Sequence, residues 1–290
     1  MLHHLNTKPV IPSRVVILGA GGFVSSAVQR RLEALNIPVL ALTQAMLDLT
    51  HQDAGSQLAS LLHPDDALLF VAAKAPVKSE AMLIENLRMC ESVCEALKRT
   101  PVKHVVYISS DAVYADSDSP LTESSCAQPG SLHGVMHLAR EVMLSNSFIG
   151  PLCFLRPTLI YGKDDPHNGY GPNRFMRLVS KGEEIVLFGE GEERRDHVWI
   201  EDVAEIIKRV ILNHSVGILN IATGETVSFR DIAEQVMKLS SHKSQIKSNP
   251  RSGPMPHKGY RPFDISAIHQ AFPDFHCLSL SKGLKICYHY

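Results

Sequence analysis

Two places in this chain of 290 residues bring together side chains able to do chemistry. The first is the segment His133-Gly-Val-Met-His137. Its imidazoles stand four residues apart, so on a helix they share one face. An unperturbed imidazole titrates at about 6.5, which leaves a neutral ring able to accept a proton at neutral pH. His-x-x-x-His is also a zinc-ligand spacing. No glutamate follows His133, however, and only Asp111 offers a third ligand, so no metal is expected. The second place is Gly19-Ala-Gly-Gly22. Glycines let a backbone come close to a phosphate. A helix starting behind them would present free N–H groups and the positive end of its dipole to a dinucleotide pyrophosphate.

The elements around these residues fit that use. Val15 to Leu18 is an all-apolar run, as a strand buried on both faces would be. Val24, Ala27, Val28, Leu32 and Leu35 then recur at helical spacing. Pro38 to Leu42 reads as a second strand, ending in Thr43-Gln44. Dinucleotide folds commonly place an acid here for NAD or an arginine for NADP. Neither is present, so the choice of NAD or NADP stays open. Asp48 and Leu49 follow within reach of an adenine. Ala54 to Leu62 reads as a helix and Ala67 to Ala73 as a buried strand whose small end residues, Ala72 and Ala73, leave room for a cofactor, with Lys74-Ala75-Pro76 turning away from it. Ser79 to Arg99 is a long helix carrying Asn86. His104 to Ile108 is a strand that closes in Ser109-Ser110-Asp111, Ser131 to Ser147 is the helix of the two histidines, and Leu152 to Leu155 is the next strand.

Such alternation predicts an α/β fold: a Rossmann-type, doubly wound parallel sheet with helices on both faces. The last third differs. Tyr161 to Asn173 reads as a loop, Phe175 to Ser180 as a helix and Ile185 to Phe188 as a strand. Helices over Ile200 to Leu212 and Phe229 to Leu239 flank a strand at Ile218 to Ile221, and His242 to Arg261 reads as irregular. The expected organisation is a dinucleotide-binding domain over residues 1–165, with the chain returning to it at 196–222, and a smaller C-terminal substrate-binding lobe over 166–290.

Composition narrows the function classes. Hydrophobic residues make up 44% and charged residues 20%, as in a globular protein with a sizeable core. Lys+Arg number 29 against 30 Asp+Glu, so neither a nucleic acid nor a membrane surface is an expected partner. The residues up to Ile11 lack the apolar centre of a signal peptide. The six cysteines include no Cys-x-x-Cys pair and read as reduced thiols, so a cytoplasmic location is expected.

Taken together, these motifs resemble the extended short-chain dehydrogenase/reductase superfamily in its sugar-nucleotide epimerase/dehydratase branch. Gly19-x-x-Gly22-Phe23-Val24-Ser25 matches that family's Gly-x-x-Gly-x-x-Gly, with Ser25 at the last glycine. Ser109-Ser110-Asp111-Ala112-Val113-Tyr114 matches Ser-Ser-x-x-Val-Tyr. Leu121-Thr122-Glu123, Arg156-Pro157-x-x-x-Tyr161-Gly162 and Arg194-Arg195-Asp196-His197-Val198-x-x-x-Asp202-Val203-Ala204 match as well. One match fails: the family's Tyr-x-x-x-Lys pair is His133 and His137 here.

The resemblance implies hydride transfer between a nicotinamide and a sugar carbon, coupled to proton transfer at a hydroxyl. Ser110 falls in the role of the serine that hydrogen-bonds that hydroxyl, with capping of a strand end as its other reading. His133 would move the proton, and His137 would hydrogen-bond the nicotinamide ribose, with Glu141 favouring a charged His137. Asp111 matches a catalytic acid of the dehydratases, whose next residue is glutamate; Ala112 stands there instead, which favours epimerisation or keto reduction over dehydration. The turn residues Gly19, Gly22, Phe23 and Val24, together with Thr43, Asp48, Leu49, Ala72, Ala73, Lys74, Ser109 and Pro157, would line the cofactor. Arg195 would bind the diphosphate of a nucleotide sugar, helped by Asn173, Arg174 and Arg261, while Asn86 would brace the substrate site. The family also implies a homodimer through the helices at 79–99 and 131–147. The alternative is a non-catalytic NAD(P)-binding paralogue that has lost the Tyr/Lys pair.

Overall fold

The structure is a computed structural model that describes residues 2–241 and 244–289. Its strands are, in order, β1 (His3–His4), β2 (Arg14–Leu18), β3 (Val39–Leu42), β4 (Asp66–Phe70), β5 (His104–Ile108), β6 (Leu152–Pro157), β7 (Leu159–Tyr161), β8 (Ile185–Phe188), β9 (Arg194–Trp199), β10 (Ser215–Ile221), β11 (Thr226–Ser228), β12 (Ile246–Asn249) and β13 (Tyr260–Arg261). The helices are α1 (Phe23–Glu33), α2 (Ala54–Leu61), α3 (Glu80–Arg99), α4 (Leu132–Ser147), α5 (Pro172–Ser180), α6 (Ile200–Leu212), α7 (Phe229–Leu239), α8 (Ser266–Ala271) and α9 (Leu280–His289).

The chain divides into two units. The first comprises Met1–Ala115, Glu123–Pro157 and Ala204–Asn220. Its seven-stranded sheet runs β1-β10-β6-β5-β4-β2-β3. Strands β2 through β6 pair in parallel, as the alternation of strand and helix requires. The expected α/β sheet of Rossmann type is therefore present. Val15, Val16, Ile17 and Leu18 are buried throughout, and so is every residue of β4 and β5. Even the leading Asp66 is covered, its carboxylate held by Arg14 at 2.8 and 2.6 Å. At the far edge, β1 runs antiparallel to β10, and Leu5, Asn6 and Val10 continue the pairing by donating to the carbonyls of His214, Asn213 and Leu212.

Ser79 and Ser131 prove to be caps, one residue ahead of their helices: their hydroxyls accept from the N–H groups of Met82 and Gly134. The strand expected over 67–73 stops at Phe70. The N–H groups of Val71 and Ala72 both turn to the carbonyl of Leu18, the last residue of β2, so the ladder has no partner beyond that point.

The second unit comprises Asp116–Thr122, Thr158–Val203 and Ile221–Tyr290. Here β9 pairs with β11, β13 and β7, and β8 pairs in parallel with β12. Phe175, Val179, Ile185, Leu187, Ile232 and Val236 form its core. Two sequence expectations need correction. The loop over 161–173 ends early, because Pro172 opens α5 at a first-turn position, where its missing N–H costs nothing. The segment 242–261 is not irregular throughout: it supplies β12 and β13, while His242 and Lys243 lie outside the described residues. The Arg-rich motif at 194–199 is itself the strand β9, whose polar sequence masks the extended pattern.

A Cβ added at Gly134 would collide with the carbonyl oxygen of Ala112 and come within 2.7 Å of Pro129 Cβ. Gly134→Ala is expected to cost about 1–3 kcal/mol of stability despite alanine's better helix propensity, read as a lower urea midpoint.

Candidate active site

The glycine turn starts where β2 ends. Gly19 and Gly21 adopt φ of +90° and +82°, which a side chain rarely tolerates. A Cβ at Gly19 would come 2.7 Å from the Cα and N of Ala72, so β2 and the end of β4 approach backbone to backbone. At Gly21 no atom lies within 4 Å of that position. Helix α1 follows the N-cap Gly22 with no side-chain cap and no acid in its first turn, so no side chain caps its leading N–H groups. Ser25, at the position of the third glycine, is fully buried and returns its hydroxyl to the carbonyls of Gly19 (2.8 Å) and Gly22 (3.1 Å). Phe23 and Val24 are half-buried in the first turn of α1. An unobstructed turn ahead of an uncapped helix fits the pyrophosphate of a dinucleotide.

Other cofactor candidates sit along the same sheet end. Thr43 follows β3 and is half-buried. Asp48 accepts from the N–H and hydroxyl of Thr50 at 2.9 and 2.7 Å, bonds that hold its carboxyl below the usual range. Leu49 has its side chain in the core. After β4, Ala72 is half-buried and Ala73 and Lys74 are exposed, with the Lys74 ammonium paired to Glu85 at 2.8 Å. Asn86, buried in α3, does not present its amide outward. It accepts from Lys74 N–H and donates to Lys74 and Met82 carbonyls, at 2.8–3.0 Å.

Beside it lies Arg140 of α4, which no motif pointed to. It is completely buried, and its guanidinium donates to the carbonyls of Ala72 (2.8 Å) and Asn86 (2.7 and 3.0 Å) and to Asn86 Oδ1 (3.1 Å). Its carbon centre stands 4.9 Å from the centroid of Phe70.

The two histidines share a face of α4, their rings edge to face at 4.7 Å. His133 is half-buried, and its buried Nδ1 has no hydrogen-bond partner. Burial lowers its pKa, against an opposing pull from the Asp111 carboxylate. His137 is buried, its Nδ1 2.7 Å from the Tyr107 hydroxyl, and burial, His133 and Arg140 all push its pKa well down. The expected charging of His137 by Glu141 does not occur. Glu141 is held by Arg156 at 2.5 and 2.9 Å and by the Ser109 hydroxyl at 2.6 Å, since its helix position turns it toward β5 and β6. Arg156 also donates to Tyr114, whose hydroxyl donates to Asn220. Ser110 caps the short turn Asp111–Val113 by accepting from Ala112 N–H at 3.2 Å, with its hydroxyl 3.4 Å from Asp111. That turn packs on the start of α4. Ser110, Asp111 and His133 are thus drawn together, while Pro157 ends β6 as a buried residue. Among the described residues no three His, Cys, Asp or Glu side chains are grouped to hold a metal.

In the second unit, the register of β9 and β13 sets Arg261 directly beside Arg195. Arg195 pairs with Glu193 at 3.4 Å. Arg261, only 2% exposed, donates to Asp116 (3.2 Å) and His257 (3.0 Å). Asn173 is buried and bonded to Asp165 and Gly162, whereas Arg174 is exposed on α5.

Residues 15–222 match the model of the NAD dependent epimerase/dehydratase family. A putative GDP-L-fucose synthase 2 of Oryza sativa subsp. japonica is 28% identical over 264 residues, covering 81% of this chain and 75% of that protein. The UDP-glucose 4-epimerase of Thermotoga maritima, solved with UDP-glucose, superposes with a TM-score of 0.85 at 20% identity, covering 96% of this chain and 98% of that one. The UDP-glucose 4-epimerase of Thermus thermophilus, solved with NAD, gives 0.81 at 21% identity, with 95% and 98% covered.

Burial keeps His104 and His197 neutral too, at about 4 and about 3, and lowers His133 and His137. Each folded-state value lies below the unfolded one, so the stability each contributes is present above about pH 6.5 and is lost as pH falls, by about 1.4 kcal/mol per unit. Asp196, raised by burial to about 6, works in the opposite sense but is a single group. The urea midpoint should therefore drop between about pH 7.5 and pH 5, and a flat profile would contradict these neutral assignments.

Proposed function

We propose, since the chain belongs to the NAD dependent epimerase/dehydratase family, that it is an NAD(P)-dependent enzyme acting on a nucleotide-activated sugar, as epimerase or keto-reductase. The observation that carries this reading is the glycine turn: two backbones in contact at Gly19, open space at Gly21, and the bare N-terminus of α1 behind them. A bound nicotinamide supplies the hydride chemistry. The N–H groups of α1 receive the pyrophosphate. Asp48 and the Leu49 backbone meet the adenine end. His133, neutral near pH 7, takes the proton of the sugar hydroxyl, and Ser110 orients that hydroxyl. The Asp111 carboxylate favours the imidazolium that forms. His137 hydrogen-bonds the nicotinamide ribose. In the second unit, Arg195 and Arg261 hold the substrate diphosphate, for which paired guanidiniums are suited. Ala112, where dehydratases carry glutamate, favours epimerisation or reduction over dehydration.

We read the chain as a homodimer pairing through α3 and α4, whose outer faces expose Ile84, Val135 and Val142. A monomer by light scattering at micromolar concentration would count against this.

One observation favours the second reading, a non-catalytic paralogue: His137 is built into the core rather than displayed. Substituting both His133→Tyr and His137→Lys separates the two. Turnover should fall in an enzyme built on histidine and rise in a decayed one.

NADH or NADPH should bind, as followed by nicotinamide fluorescence, and failure of both at millimolar concentration overturns the reading. Gly21→Ala should weaken binding by more than about tenfold, while its positive φ costs only about 1–2 kcal/mol of stability. The kcat/KM profile should show a limb below about pH 6.5 from His133, and a flat profile from about pH 5.5 to 8 excludes it as the base.

A further inference from the structure

We propose that Tyr107 is a positioning residue that fixes His137 as a neutral ring with its proton on Nε2, giving the site an uncharged hydrogen-bond donor where the family pattern has lysine. The role toward cofactor rests on the function proposed above; the tautomer does not.

Hydrogen-bond satisfaction decides the proton's place. Tyr107 of β5 is completely buried, and its hydroxyl lies 2.7 Å from His137 Nδ1. The charged Arg140 guanidinium also acts on that hydroxyl, and arginine carries no acceptor to offer it. If His137 Nδ1 donated, the phenol's own proton would have no acceptor, shut away from water. The phenol must therefore donate to Nδ1, which makes Nδ1 an acceptor and leaves the ring proton on Nε2. Among the described residues Nε2 itself makes no hydrogen bond, so this donor is available.

Burial is the main reason the ring stays uncharged, and His133 and Arg140 add to it. The donors of Arg140 end on neutral oxygens and on Met89 sulfur, and no carboxylate pairs with it among the described residues. A protonated His137 would put a second cation beside this uncompensated one. The other groups facing the pair do not relieve this. His133 is a neutral ring on the same helix, Glu141 is committed to Arg156 and Ser109, and Cys90 of α3 is a buried thiol pushed to a high pKa by Cys94 and burial. Asp111 acts on His133. The fixed positive charge that a lysine would bring is thus present one turn away, on Arg140.

The test is an imidazole-optimised 1H–15N spectrum of the full-length protein, with the His137 signal identified by its loss in His137→Gln. The expected wild-type signal is the neutral Nε2–H tautomer. An Nδ1–H tautomer or an imidazolium at about pH 7 overturns the proposal, and needs no mutant to do so. Tyr107→Phe keeps the ring and removes the hydroxyl. It should mix the two tautomers and weaken NADH by about tenfold, the effect of one misplaced hydrogen bond. Tautomers unchanged in Tyr107→Phe, or mixed with NADH affinity unchanged, overturn the positioning role. A wild type that binds neither NADH nor NADPH overturns the proposed function instead. The spectrum separates these failures because it is recorded without cofactor.

Discussion

The buried ion pair of Arg156 and Glu141 sets the rotation of α4 against the sheet. Both oxygens of one carboxylate are taken, by the Nη2 and Nε of Arg156, and Ser109 adds a third donor. Through Arg156 the same network reaches Tyr114 and then Asn220 on β10. A buried pair of this kind is not by itself a source of stability, because desolvating both charges offsets most of their attraction. What it imposes is geometry, since leaving either charge unpaired costs about 3–5 kcal/mol. Glu141 lies one helical turn beyond His137 and two beyond His133. Fixing Glu141 therefore fixes the face on which both imidazoles stand.

The other half of the candidate site is made by backbone rather than side chains. At Gly19 two strand ends touch with no room for a Cβ, and the segment leaving β4 is held in turn by Asn86 and Arg140. Asn86 grips the peptide of Lys74 through both its N–H and its carbonyl, and Arg140 takes the carbonyl of Ala72. Three consecutive residues beside the glycine turn are thereby fixed from behind. The side chains of Ala72 and Ala73 are small, while that of Lys74 reaches Glu85.

How much of this the sequence disclosed depends on the kind of signal. The strands β2 and β5 are short apolar runs bounded by polar or glycine residues, so periodicity reveals them almost to the residue, whereas the apolar run of β4 continues three residues past its ladder. The glycine turn is equally legible, because local backbone chemistry decides it, whereas Ser79 and Ser131 read as the first helical residues and are caps. The second unit is harder. Strand β9 is written Arg-Arg-Asp-His-Val-Trp, and its extension comes from pairing with β11 and β13 far along the chain. Asn86 was expected at the substrate site from the family resemblance alone, and its grip on the Lys74 backbone gave no sequence signal. Arg140 and Tyr107 gave no pattern at all: one reads as a solvated helix position and the other as an ordinary strand aromatic. Glu141 was assigned to the nearest histidine by spacing, whereas β6 brings Arg156 to it across the fold. Long-range partners of this sort follow from the sheet order, not from neighbours in sequence.

The short pairing of β1 with β10 covers the outermost backbone of the large sheet. Without it, β10 would show a row of unsatisfied amides and carbonyls, a template on which another extended chain can add. His4 strengthens the cover through its contact with Ser215, at 2.7 Å. Residues 3–10 thus mask one end of that margin, and a preparation that trims or displaces them would bare backbone there on which another chain can add.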